Sequence, residues 1–128
     1  MNYAEDRNRR MLRARDTMDR RYAEPLDVAA LAAVAHISPA HFSRVFKATF
    51  GETPHRYLQR RRIERASALL RETTMSISDI STAVGFGSFA TFTRTFGQII
   101  GETPSSHRLR SGDGVAPTCA VKSLRRPA

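Results

Sequence analysis

Ala40-His41-Phe42-Ser43-Arg44-Val45-Phe46, followed by Gly51-Glu52-Thr53-Pro54, returns fifty residues later as Ala90-Thr91-Phe92-Thr93-Arg94-Thr95-Phe96 and Gly101-Glu102-Thr103-Pro104. Ala, Phe, Arg and Phe keep their places, Ser43 and Thr93 both carry a hydroxyl, and Ser38 upstream matches Ser88. In each copy the two phenylalanines are four residues apart, so they share one face of a helix, and the arginine between them lies off that face. Gly51 and Gly101 are helix stops, and each Thr-Pro that follows is an N-cap with proline at the first helical position. A unit of this length used twice defines an architecture in which one short amphipathic helix is presented in duplicate.

Working outward, Ser38-Pro39 starts a helix that reaches about Thr49, with Phe42, Val45, Phe46 and Phe50 inward. Before it, Asp27 caps a helix to about Ala35, with Val28, Leu31, Ala32 and Ala35 on one face. In the second copy, Met75 to Val84 is helical with Ile77, Ile80 and Val84 inward. Gly85-Phe86-Gly87 is the turn, and Ser88 caps a helix from Phe89 to about Ile100 with Phe92, Phe96 and Ile99 inward. The two turns differ by one residue, and His36 stands where the second copy has Gly85. Met11, Ala14, Met18 and Tyr22 mark a first helix, Pro54 to about Glu72 a long one, and Thr103-Pro104 a last short helical turn. The spacing predicts an all-α fold of about seven helices: a frayed start at 1–10, a first subdomain at 11–54, a linker helix at 55–72, a second subdomain at 73–110, and a disordered basic tail at 111–128.

With 128 residues the chain makes one small domain or two subdomains, enough for modest cores but not for a large enzyme cleft. Lys and Arg number 21 against 12 Asp and Glu, a formal net charge of +9. Only Lys47 and Lys122 are lysines, so arginine supplies the charge, and a charge this positive points to a polyanionic partner. The single cysteine, Cys119, excludes an internal disulfide and a cysteine-cluster metal site. His36, His41, His55 and His107 show no metal-ligand spacing with acidic residues, and no metal or cofactor is expected. No apolar run approaches membrane-spanning length, and Met1 to Arg15 has no signal-peptide core, so a cytoplasmic protein with no membrane partner is expected.

Two helices of about ten residues joined by a three- to four-residue turn are the arithmetic of a helix-turn-helix, whose second helix enters the DNA major groove. Phe42, Val45 and Phe46 take the inner face in the first copy, leaving Ala40, Ser43, Arg44 and Lys47 outside. In the second copy Phe89, Ala90, Thr93 and Arg94 are left outside. Arginine can donate two hydrogen bonds to guanine, for roughly 1–3 kcal/mol of discrimination. Solvated helix arginines are the bland reading of Arg44 and Arg94; their identical placement in a repeat argues against it. Ser38 and Ser88 are N-caps that can also face a phosphate. Phe89 is open between touching a thymine methyl and folding back on the core. Pro54 to Arg71 would measure about 27 Å as a helix, against ~34 Å between successive major-groove faces on one side of DNA. Its arginines (Arg56, Arg60, Arg61, Arg62, Arg65, Arg71) add positive field, most of them solvated or paired with Glu64 and Glu72.

With these residues in place, the sequence resembles the DNA-binding domain of the arabinose-operon-regulator (AraC/XylS) family. The resemblance is carried by Arg62-Ile63-Glu64-Arg65-Ala66, by Ile77 and Ile80, by the run from Val84 to Phe96, and by Gly101 to Pro104; it covers about two thirds of the chain. It implies two helix-turn-helix units joined by one helix, bound to adjacent major-groove segments of promoter DNA. It also implies a transcription activator that contacts RNA polymerase. The chain has no room for the family's separate ligand-binding or dimerisation domain. It is similar to the short stand-alone members that bind as monomers, or to a fragment of a longer regulator. The family's base-reading places fall on Ala40, Ser43 and Arg44 and on Phe89, Ala90, Thr93 and Arg94. Three departures stand out: His36 replaces a turn glycine, Ala40, Phe89 and Ala90 are small or apolar, and His107 replaces a late aromatic. They shift the weight of recognition to Arg44, Arg94 and DNA shape.

Two other classes compete with this reading. A helical protein-interaction module would make the charge incidental, but a solenoid needs stacking neighbours, which two copies separated by a helix do not supply. An enzyme would need a supported nucleophile, and Cys119 has no His or Glu near it in sequence. No catalytic residue is expected.

Overall fold

The computed structural model describes residues 2–115. Over them the chain forms seven helices and no strand: α1 (Tyr3–Arg20), α2 (Val28–Ala35), α3 (Pro39–Phe50), α4 (Pro54–Glu72), α5 (Ile77–Ala83), α6 (Phe89–Ile100) and α7 (Pro104–Val115). They divide into two compact units, and the division falls between Arg62 and Ile63, inside α4.

In the first unit, Met11, Ala14 and Met18 of α1 repeat at helical spacing and are fully buried. They form one core with Leu31, Ala32 and Ala35 of α2, Phe42, Val45 and Phe46 of α3, and Tyr57 and Leu58 of α4. Val28 and Phe50, expected inward, are only partly buried against this core, beside Tyr22, Leu26 and Ile37. The frayed start expected at 1–10 is instead helical from Tyr3. Asn2 caps it by accepting from the Glu5 amide at 3.2 Å. Asp6 accepts from Arg10 Nε at 3.0 Å. The Arg10 guanidinium also donates to the carbonyls of Ala35 (3.3 Å) and His36 (3.0 Å), which ties the start of α1 to the end of α2. The polar composition of this stretch therefore reflects caps and ion pairs rather than disorder.

The second unit buries Ile63, Ala66 and Leu70 of α4, Ile80 of α5, Val84 and Phe86 of the turn, and Phe92 and Phe96 of α6. The helix expected at Met75–Val84 is trimmed to Ile77–Ala83 because Ser76 takes the cap, accepting from the Asp79 amide at 3.0 Å. The last helical turn expected after Thr103 is a helix of 12 residues. Thr103 caps it, and Arg108 anchors it by donating to the carbonyls of Leu70 (3.1 Å) and Thr73 (3.2 Å). It passes the boundary expected at Arg110 and reaches Val115; the rest of the expected tail, 116–128 with Cys119, lies outside the described residues.

Both turns between helices are closed by the same pair of bonds. Ile37 N–H donates to Ala32 O and His36 N–H to Ala33 O; Phe86 N–H donates to Ser81 O and Gly85 N–H to Thr82 O. This is a Schellman closure, which needs a left-handed residue at its corner. Gly85 supplies it freely at φ 101°, and His36 adopts it at φ 59°. The imidazole-bearing residue takes a conformation that disfavours a Cβ, so the first turn carries strain that the second does not.

The helix after each Gly-Glu-Thr-Pro is held to the one before it in the same way. Tyr57 stacks edge-on against Phe46 (5.7 Å, 77°), and His107, fifty residues on, stacks edge-on against Phe96 (5.6 Å, 70°). Glu52 pairs with Arg60 at 2.7 Å, and Glu102 pairs with Arg110. Tyr57 donates its hydroxyl to Asp19 at 2.7 Å. Burial first, and then this bond, push its phenol from 10.0 up to about 12. The buried His107 bridges Ser67 (Nε2, 2.8 Å) and Glu102 (Nδ1, 2.9 Å). Arg110, and after it His107, hold the Glu102 carboxyl at about 2, well below its ordinary 4.5.

Three outcomes are expected. Phe92→Ala, a truncation of a fully buried ring, lowers stability by ~3–5 kcal/mol in chemical denaturation; an unchanged midpoint would mean that α6 does not pack as described. His36→Gly relieves the left-handed corner and raises stability by ~0.5–1 kcal/mol, whereas a loss would show that the imidazole itself supports the turn. The depressed Glu102 carboxyl contributes stability present above pH ~4.5 and lost as pH falls toward ~2. The melting-temperature gap between wild type and Glu102→Gln therefore closes over that window, and a gap independent of pH would contradict this.

Candidate nucleic-acid interface

α3 begins at Ser38, whose side chain accepts from the His41 amide at 3.4 Å, with Pro39 in the first turn, and ends at Gly51 in the left-handed conformation at φ 81°. α6 repeats this: Ser88 accepts from the Thr91 amide at 3.1 Å, and Gly101 closes the helix at φ 91°. Ser38 and Ser88 are thus N-caps at exposed helix starts. Between caps and stops, the paired phenylalanines fix each helix's rotation. Phe42 and Phe46 are fully buried with ring centroids 5.6 Å apart, and Phe92 and Phe96 are fully buried at 5.8 Å.

That rotation leaves the opposite face open. On α3, Ala40, Arg44 and Lys47 are exposed and Ser43 is partly buried. On α6, Ala90 and Arg94 are exposed and Thr93 is partly buried, its hydroxyl donating to Ala90 O at 3.1 Å. Phe89 meets both alternatives halfway: it is 49% exposed, yet its ring lies 6.3 Å from that of Phe92. The candidate residues of each helix share one outward face.

The charges sort into two groups. Arg9, Arg10, Arg20, Arg21, Arg60, Arg61 and Arg110 all face a carboxylate within ion-pair distance. Arg62 donates to the carbonyls of Tyr22 (2.6 Å) and Glu24 (2.8 Å), and burial lowers its pKa. These arginines of α4 are therefore structural: Arg60 meets Glu52 and Arg61 meets Asp19, contacts that local spacing does not announce. Among the described residues the side chains of Arg7, Arg13, Arg44, Lys47, Arg56, Arg65 and Arg94 have no carboxylate partner, and of these Arg44, Lys47 and Arg94 project from the two open faces. The Glu52–Arg60 and Glu102–Arg110 pairs, which lock each presented helix to its successor, were missed by sequence reasoning. The fifty-residue register that revealed Arg44 and Arg94 extends to both pairs and was their signal.

Among the described residues no helix is long and apolar enough to cross a membrane, and no three His, Cys, Asp or Glu side chains are grouped to hold a metal ion.

Residues 31–110 match the family model described as "Helix-turn-helix domain". The chain is 34% identical over 102 residues to the HTH-type transcriptional regulator GlxA of Rhizobium meliloti, covering 80% of this chain and 32% of the relative. It spans about a third of the length of the first curated relatives it matches. Its fold matches the crystal structure of a transcriptional regulator with an AraC-type DNA-binding domain from Chromobacterium violaceum. That match has TM-score 0.75 and 30% identity, and covers 81% of this chain and 93% of that one. It also matches the DNA-binding domain of AdpA, a global transcriptional factor crystallised in complex with a target DNA. There the TM-score is 0.79 and the identity 25%, over 82% of this chain and 95% of that one. The chain belongs to the AraC-type helix-turn-helix family of DNA-binding transcription regulators.

Proposed function

We propose that this chain is the sequence-specific, double-stranded-DNA-binding part of a transcription activator. α3 and α6 enter adjacent major-groove segments of promoter DNA. Ala40, Ser43, Arg44 and Lys47 face the bases of one segment, and Phe89, Ala90, Thr93 and Arg94 those of the other. Ser38 and Ser88, at the exposed helix starts, lie at phosphates. RNA polymerase is the protein partner, the cytoplasm at the nucleoid is the place of action, and the chain binds as a monomer when it stands alone.

One observation carries this reading. Arg44 and Arg94 project unpaired, at matching places, from the two helix faces that repeat each other. An arginine with no internal partner keeps both edges of its fork for guanine O6 and N7, the commonest specific contact to DNA. Small neighbours at Ala40 and Ala90 let the helix backbone approach the groove floor. The half-exposed Phe89 offers an apolar edge to a thymine methyl. The DNA bound by the related AdpA domain supports the same partner for this chain.

The test is selection of bound duplexes from a random pool, followed by gel-shift titration. Two separate conserved segments are expected in the selected DNA. Arg44→Ala and Arg94→Ala each weaken specific binding by ~1–3 kcal/mol, relax selection at one position in one segment, and leave the melting temperature unchanged. A single conserved segment, or unchanged affinity in both variants, refutes the two-helix reading.

A further inference from the structure

Beside α3, in the first unit, lies a groove of about 700 Å³ whose two walls are α1 and α3. α1 contributes Arg7, Asn8 and Leu12; α3 contributes His41, Arg44, Val45, Ala48 and Thr49. The lining holds two guanidiniums and no carboxylate. Arg7 is exposed and, like Arg44, has no ion-pair or hydrogen-bond partner among the described residues, although Asp6 beside it in sequence is engaged by Arg9 and Arg10. Leu12 is 46% exposed at the same surface. Two unpaired cations sharing a solvent-filled groove repel each other unless an anion lies there.

We infer that α1 holds the DNA backbone: Arg7 and Asn8 bind a phosphate of the strand flanking the groove that α3 reads, with Leu12 against the adjoining sugar. This rests on the DNA reading above and adds a site to it. A helix with its side chains is about 10–12 Å across and the major groove about 12 Å wide, so an inserted helix fills the groove. What stands immediately beside its exposed face therefore meets the phosphate wall. Arg44 sits on the shared lining, so the wall next to it is the one that α1 faces. Charge complementarity selects a phosphodiester over a peptide: the groove offers guanidinium and amide donors, and no acidic group to receive a basic partner. Arg7 lies in the stretch where sequence composition suggested fraying. It is available for this role because Asn2, Asp6 and Arg10 hold the surrounding turns in place.

The experiment compares wild type, Arg7→Ala, Arg7→Lys and Arg13→Ala on selected and random duplexes across a salt series. Arg13 is an exposed α1 residue away from the groove and serves as the control. Arg7→Ala is expected to weaken selected and random duplexes by the same several-fold factor. It should reduce the slope of log affinity against log salt by about 0.9, the value of one phosphate contact. Arg7→Lys keeps the slope, Arg13→Ala matches wild type, and all four melt alike. If wild type binds DNA but Arg7→Ala matches it in slope and affinity, the inference falls while the DNA reading stands. Loss confined to the selected duplex would make Arg7 a base reader and overturn the phosphate assignment. Intact DNA binding with reduced transcription in a reconstituted reaction would give the groove to a protein partner and likewise overturn it. Failure of wild type to bind any duplex refutes the DNA reading itself.

Discussion

A helix that is to be read by another molecule must be held by less than half of its circumference. In each unit of this protein that hold is a pair of fully buried phenylalanines one helical turn apart, Phe42 with Phe46 and Phe92 with Phe96. Two bulky rings on one stripe fix the helix about its own axis, since any rotation would expose one of them at a cost of kilocalories. Every other placement follows from that fixed angle. Arg44 and Arg94, two residues after the first ring and two before the second, are turned out because the rings are turned in.

The angle is then secured along the chain by the Gly-Glu-Thr-Pro element. Its glycine stops the helix, its threonine and proline start the next one, and its glutamate reaches forward eight residues to an arginine of that next helix. The aromatic residue three places after the proline closes over the second phenylalanine. His107 takes that place in the second unit and converts a ring contact into a hydrogen-bonded bridge between Ser67 and Glu102. A tyrosine at the corresponding Tyr57 sends its hydroxyl to Asp19 instead. Both solutions obey one rule: a polar atom carried into the core by a ring must find a partner there.

Much of this was legible in the residues. The caps at Asp27, Ser38 and Ser88 and the stops at Gly51 and Gly101 punctuate the helices, whereas the cap at Ser76 was missed. Apolar spacing gave the inward faces of α2, α3 and α6. What escaped depends on contacts between residues distant in sequence. Composition called 1–10 frayed because it has few apolar residues; α1 is held there by Asn2 and by Arg10 reaching carbonyls twenty-five and twenty-six residues away. Arg60, Arg61 and Arg62 read as solvated or paired with Glu64 and Glu72, the acids that local spacing offers. Glu52, Asp19 and the carbonyls after α1, which they also engage, come together only through the fold. The groove between α1 and α3 was invisible for the same reason, since no local pattern announces that Arg7 and Arg44 line one surface.

α4 changes allegiance partway along its length. Its first half, with Tyr57 and Leu58, completes the core of the first unit; its second half, with Ile63, Ala66 and Leu70, opens the second. A helix divided in this way contains no idle turn. It serves as a party wall, and a party wall cannot be lengthened, shortened or rotated to suit one house alone. A single inserted residue within α4 would shift the downstream apolar stripe by about 100° relative to the upstream one. The two copies differ in side chains, as at His36 and His107, while one continuous helix supplies apolar residues to both cores.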